Sequence, residues 1–219
     1  DFTLANSKTN VPEADYFFQY SLASEKQAAS GELLASALDM EAVRLVADAL
    51  PLDAAHRKRL DQFSPKGRAE NIAIKWRGDL DALQTYSAKV KFNNVSIAAV
   101  DSLPGLTNMN GLMEANEGGG SLSLDNQASE VNLAKIFTQP LKLDTLQAQL
   151  VWKKTDNKLE LNIENFVFAN PDTSGEASGT LSAQANAPGL VDIKTRFSGI
   201  NADNIYRYIP IKAGDGLRN

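Results

Sequence analysis

The chain has 219 residues, 43% apolar and 22% charged, with a formal net charge of -5 and no cysteine. That composition describes a folded domain of ordinary size, not a disordered segment, and the lack of cysteine excludes disulfides, thiolate catalysis and cysteine metal sites. An acidic balance whose one basic cluster is His56, Arg57, Lys58 and Arg59 argues against nucleic acid as a partner, and no apolar run approaches the ~18 residues of a membrane span.

In chain order, residues 1–36 read as strands. They open in mid-pattern at Asp1, Phe2, Thr3 and Leu4 without a methionine, as expected for part of something longer. A helical interlude follows over 37–64. Leu38, Ala42, Leu45, Val46 and Ala49 keep helical spacing behind Asp39 as N-cap, with Pro51 just past the end. A second short helix has Asp53 as its cap, buries Leu60 and Phe63, and stops before Pro65 and Gly67. On it, the basic run His56–Arg59 is a solvated face or, alternatively, an anion or headgroup contact.

From 65 to 210 the signal is period-two alternation, the mark of strands with one apolar face. Ile72, Ile74 and Trp76 open it, and Tyr86, Ala88, Val90 and Phe92 alternate with Ser87, Lys89 and Lys91. Leu122 and Leu124 follow, then Leu146, Ala148, Leu150 and Trp152, then Leu159, Leu161 and Ile163. Leu181, Ala183 and Ala185 come next, and Val191, Ile193, Thr195 and Phe197 close the series. Thr155-Asp156-Asn157 and Glu117-Gly118-Gly119-Gly120 read as turns. The glycine run lacks the Lys-Ser/Thr of a phosphate loop. Apolar parity inverts across Asn93-Asn94 and across Glu164-Asn165, so each site predicts a β-bulge and a curved sheet. One more helical turn fits Ala202–Tyr206 before Pro210, and 211–219 form a tail.

These residues carry a resemblance. Leu50-Pro51-Leu52 with Arg57 and Leu60, Phe63–Gly67, Trp76-Arg77-Gly78, and Leu103-Pro104-Gly105 with Gly111-Leu112 occur in an order similar to the central region of the YhdP family. Phe137 with Pro140–Asp144, Leu146 with Trp152, and Tyr208-Ile209-Pro210 continue it, so the resemblance spans Leu50 to Pro210. It implies an AsmA-like envelope protein of Gram-negative bacteria that carries phospholipid along a repeating β-groove. It also implies an inner-membrane anchor outside this chain, a periplasmic location, pairing with adjacent groove segments of the same protein, and no catalytic residues.

The expected fold is therefore mainly β: a curved antiparallel sheet forming an open groove, with a small helical insertion at 37–64. Residues 1–36 belong on this reading to a preceding groove segment. The expected lipid-groove residues are Ile72, Ile74, Trp76, Tyr86, Val90, Phe92, Leu122, Leu124, Leu146, Leu150, Trp152, Leu159, Leu161, Ile163, Val191, Ile193 and Phe197. Exposing a sixteen-carbon tail costs on the order of 10 kcal/mol at ~0.8 kcal/mol per methylene, a cost that an apolar trough removes. Alternation alone is equally the pattern of a sealed sandwich core, so a structural or adhesion module with a closed core is the alternative. An enzyme is the third class. Its candidate carboxylates Glu114, Glu117, Glu160 and Glu164 lie in turns or on polar strand faces, and His56 is the only histidine. The expectation is no enzyme, cofactor or metal.

Overall fold

The computed structural model describes residues 5–6, 9–10, 14–25, 27–45, 54–79, 82–101, 103–184, 187–199, 201–208 and 211. Two short strands, β1 (Ala5–Asn6) and β2 (Thr9–Asn10), pair with each other. Every other described strand joins one ten-stranded antiparallel sheet. Its strands are β3 (Tyr16–Ser21), β4 (Ser30–Asp39), β5 (Lys66–Asp79), β6 (Ala82–Ile97) and β7 (Gly105–Asn116). They continue with β8 (Gly119–Asn132), β9 (Leu141–Thr155), β10 (Lys158–Ala169), β11 (Ser174–Gln184) and β12 (Ala187–Ser198). Sequence order is spatial order, so the sheet is a pure meander. Among the described residues it does not close on itself, and β3 and β12 are its edges.

The alternating runs all fall in strands, whereas Ala185 lies outside the described residues. Both parity changes are bulges, between Phe92 and Val95 and between Ile163 and Phe166. β4 pairs with β5 in continuous register, Leu33 with Ile74 and Ala35 with Ile72.

The helical interlude begins later than its spacing suggests. Leu38 still pairs with Ala69 in the ladder, and α1 runs only over Met40–Leu45. Asp39 nevertheless caps it, its Oδ1 accepting the Ala42 N–H at 2.9 Å. A leucine is at home in either period, and pairing with β5 settles the choice for the strand. Val46, Ala49, Pro51 and Asp53 lie outside the described residues; α2 occupies Ala54–Phe63, with Leu60 and Phe63 half-buried and Lys58 and Arg59 exposed.

A meander sends its connections to two rims. On one, Glu117-Gly118 and Asp156-Asn157 are two-residue turns. Gly119 and Gly120 thus belong to β8, correcting the four-residue turn expected from the glycine run. The β3–β4 link over 22–29 is on this rim too, whereas the other rim carries the α1–α2 region and the links 98–104, 133–140 and 170–173. Past β12, a 3-10 helix (Ala202–Tyr208) lies along this second rim. Buried Asp172 holds it there, taking hydrogen bonds from Asn204 Nδ2 at 2.6 Å and Tyr208 Oη at 3.1 Å. Arg207 sits 3.5 Å from the same carboxylate, and Asn170 Nδ2 donates to Tyr208 Oη at 2.8 Å. Ile211 N–H then donates to Ile136 O, carrying the strap back to the β8–β9 link. Pro210 lies outside the described residues.

Candidate functional site: one apolar sheet face

Residues directly opposite one another in a ladder project to the same face, so the register assigns every side chain a side. One row runs Leu33, Ile74, Ala88, Ala115, Gly120, Trp152, Leu161, Leu181, Val191. Trp76 with Tyr86, and Leu159, lie one position nearer the tight-turn rim. A second row brings Ile72 against Val90, then Met113, Leu122, Leu150, Ile163, Gly179 and Ile193. The third is Ala69, Phe92, Gly111, Leu124, Ala148, Phe166, Ala177, Thr195, and the fourth includes Leu146, Phe168, Gly175 and Phe197. Every residue expected to line a groove therefore lies on this one face.

Exposure across the face is graded. Ile72, Leu146 and Ala148 are buried at 5%, 2% and 1%, whereas Val191 is 64% and Phe197 54% exposed at the β12 edge. Phe18 is 61% exposed at the β3 edge. Side chains in the middle of a curved sheet shelter one another, and those at its open edges have no neighbour on one side. Helix α1 packs on β4 and β5, where Met40 meets the Ala35–Ala69–Ile72 cluster. Among the described residues no second sheet covers the face.

The floor has a device that alternation does not reveal. Four aromatic rings lie across glycines on the neighbouring strand: Trp76 over Gly31, Trp152 over Gly120, Phe92 over Gly111 and Phe168 over Gly175. A Cβ at Gly31 would stand 2.1 Å from Trp76 Cζ2, and one at Gly120 2.4 Å from Trp152 Cζ2. Missing side chains let the rings lie flat on the sheet, where they cover otherwise bare backbone. Trp76 also contacts the rings of Phe18 and Tyr20 on β3, both at 6.3 Å between centroids. The glycine partners, the β3 rings Phe18 and Tyr20, and Met109 were not assigned to the face by the sequence, because they are found only once the register is known.

The opposite face is polar. Lys75 pairs with Glu32 at 3.0 Å, Lys91 with Glu70 at 3.5 Å, Arg196 with Glu176 at 2.6 Å, and Lys89 with Glu114. Three of the four carboxylates offered to an acid–base reading, Glu114, Glu117 and Glu160, are engaged here or at the turns. Glu160 binds Lys158, which holds its pKa below the usual carboxylate range. Backbone N–H groups of Glu117 itself and of Tyr86 do the same for Glu117, the latter at 3.1 Å. Glu164 is exposed on β10. Open basins of about 540 and 400 Å³ adjoin on this side, sharing Lys75, Ser87 and Asn116. They gather mixed polar groups and no converging acids. His56 lies on α2, its side chain outside those described.

No curated protein and no solved structure matches this chain. A family profile does, described as YhdP protein and covering residues 1–218. With an open meander whose apolar residues share one face, and a profile matching almost end to end, the chain belongs to the YhdP family.

Proposed function

We propose that this chain is a phospholipid-binding segment of an intermembrane lipid-transport bridge in the Gram-negative envelope. The observation that carries the proposal is the apolar face: it continues in register from β4 to β12 with no second sheet over it among the described residues. Acyl chains are non-directional ligands, and a strip of Leu, Ile, Val and flat aromatic rings shields them from water at about 25 cal/mol per Å². Polar headgroups remain at the wet rims. The role is binding and conduction without chemistry, and it needs no cofactor.

Family membership supports the same reading, since the YhdP resemblance implies a periplasmic region anchored to the inner membrane by a segment outside this chain. Adjacent groove segments then pair with the open edges β3 and β12, extending the trough. A sealed-core adhesion module fits less well, because a one-layer sheet leaves Val191 and Phe197 largely exposed.

The test is charge placed in the trough. Val90→Asp and Leu161→Lys are expected to abolish binding of a fluorescent long-chain phospholipid while the far-ultraviolet β spectrum stays native. Binding that survives both substitutions would sink the conduit. Unfolding of both would identify the face as a sealed core.

A further inference from the structure

The inward-facing positions make a three-residue step in six consecutive strands. The steps are Ala69 to Ile72, Phe92 to Val95, Leu106 to Met109, Asn126 to Ser129, Leu143 to Leu146, and Ile163 to Phe166. In four of these strands a non-glycine residue within the step has left-handed backbone: Asn71 (φ 49°), Asn94 (φ 50°), Asn108 (φ 63°) and Ala128 (φ 52°). Such values are disfavoured for residues with a Cβ and recur here on neighbouring strands. Register shifts at the same places between β5 and β6, β6 and β7, β7 and β8, and β9 and β10, while β8 and β9 keep register across the line, and side chains take the part of the missing ladder bonds. Asn94 N–H donates to Asn110 Oδ1 at 2.9 Å, Asn110 N–H donates to Asn126 Oδ1, and Asn108 N–H donates to Ser96 Oγ at 3.0 Å. Asn108 Nδ2 reaches Ala128 O at 3.2 Å, while the Nδ2 of buried Asn126 has no partner. Both buried apolar clusters flank this line.

We infer that the line is a crease in the sheet that works as a hinge, letting the two facets of the apolar face change their angle and so the width of the trough. The inference rests on the proposed binding role only for its purpose. Its mechanics stand apart: main-chain ladder bonds hold each facet, whereas at the joint an asparagine relay with one unmatched donor replaces several of them, so bending exchanges side-chain bonds and leaves the facet ladders whole. A sheet bulged in one strand twists locally. One bulged in step across neighbours acquires an axis.

The test uses the ligand-free chain, so it is decided independently of lipid binding. The sequence has no cysteine, which allows nitroxide labels at Lys142→Cys and Lys153→Cys, on β9 to either side of the Leu143–Leu146 step. Pulsed dipolar spectroscopy should give a broad distance distribution, shifted or broadened further by Asn110→Ala. In hydrogen exchange the amides of Asn94, Asn108 and Asn110 should exchange at least about tenfold faster than those of Leu122 and Leu150 in the facet interior. A single narrow distance in the wild-type chain, with crease amides protected like their neighbours, would show a rigid bend and overturn the hinge. If Asn110→Ala does not fold, the wild-type measurements decide alone.

Discussion

A methyl group at Gly120 has nowhere to go. Built there, a Cβ would lie 2.4 Å from both Glu114 O and Trp152 Cζ2, and the carbonyl is fixed in the ladder. Gly120→Ala should therefore destabilise the chain by about 1–3 kcal/mol, the usual cost of overpacking, with Trp152 displaced toward solvent. Urea titration followed by tryptophan fluorescence measures both effects; an unchanged midpoint and emission maximum would mean that the ring does not rest on this glycine. Much of the apolar face was legible in the sequence, because alternation assigns a side to each apolar residue within its own strand. Trp76, Val90, Leu150 and Ile193 are examples, each placed with its alternating neighbours on the apolar side. What alternation cannot supply is the partner across the ladder. Gly31 and Trp76 are 45 residues apart in sequence and Gly120 and Trp152 are 32 apart, so these pairs depend on long-range register.

At the scale of elements, the long-connection rim depends on one buried carboxylate. The 3-10 helix is short, with the poorer bond geometry of its class, and is tied to the rim by Asp172, Asn170 and the Tyr208 hydroxyl. Burial is the largest cause raising the Tyr208 pKa above its ordinary 10.0, with its hydrogen bond to Asp172 acting in the same direction. The folded chain thus keeps the phenol proton to higher pH than the unfolded chain. The stability so contributed is fully present below pH 10.0 and is lost as pH rises through the raised value. Exchange in 201–208, corrected for its intrinsic pH dependence, should accelerate in that alkaline window, and Tyr208→Phe should remove the step. A flat profile in the wild-type chain would mean that the tyrosine does not secure the strap.

Two of the bulges were visible as parity changes at Asn93-Asn94 and Glu164-Asn165, whereas those at Asn71, Asn108 and Ala128 were not. The visible pair interrupts long apolar runs, while near Asn108 the flanking Thr107, Met109 and Asn110 give no clear alternation to break. Leu38 was assigned to the wrong element for a related reason. Its helical spacing to Ala42 and Leu45 is real, but backbone pairing with Ala69 wins at the strand end.

For the whole molecule, the meander leaves two open edges and an apolar surface that nothing in the described sheet closes. Open edges invite further strands, and a long exposed apolar face is unusual for a protein that works alone. Both features make sense if β3 and β12 continue into further groove segments and if lipid tails occupy the face. The mainly β class, the curvature and the single apolar side were legible because a meander is local: each strand pairs with its sequence neighbours, so the order of runs is the order of strands. Openness was not legible in alternation, since a sandwich and a groove share it and differ only in whether a second layer arrives; the expectation of an open sheet came from the family resemblance, and the open sheet bears it out. The most direct test of the lipid reading is mass spectrometry of organic extracts from the gently purified chain, beside a sealed β protein prepared in parallel. Stoichiometric phospholipid in the wild-type extract, lost in Val90→Asp with the fold intact, is the predicted result; phospholipid no more abundant than in the sealed control would contradict it.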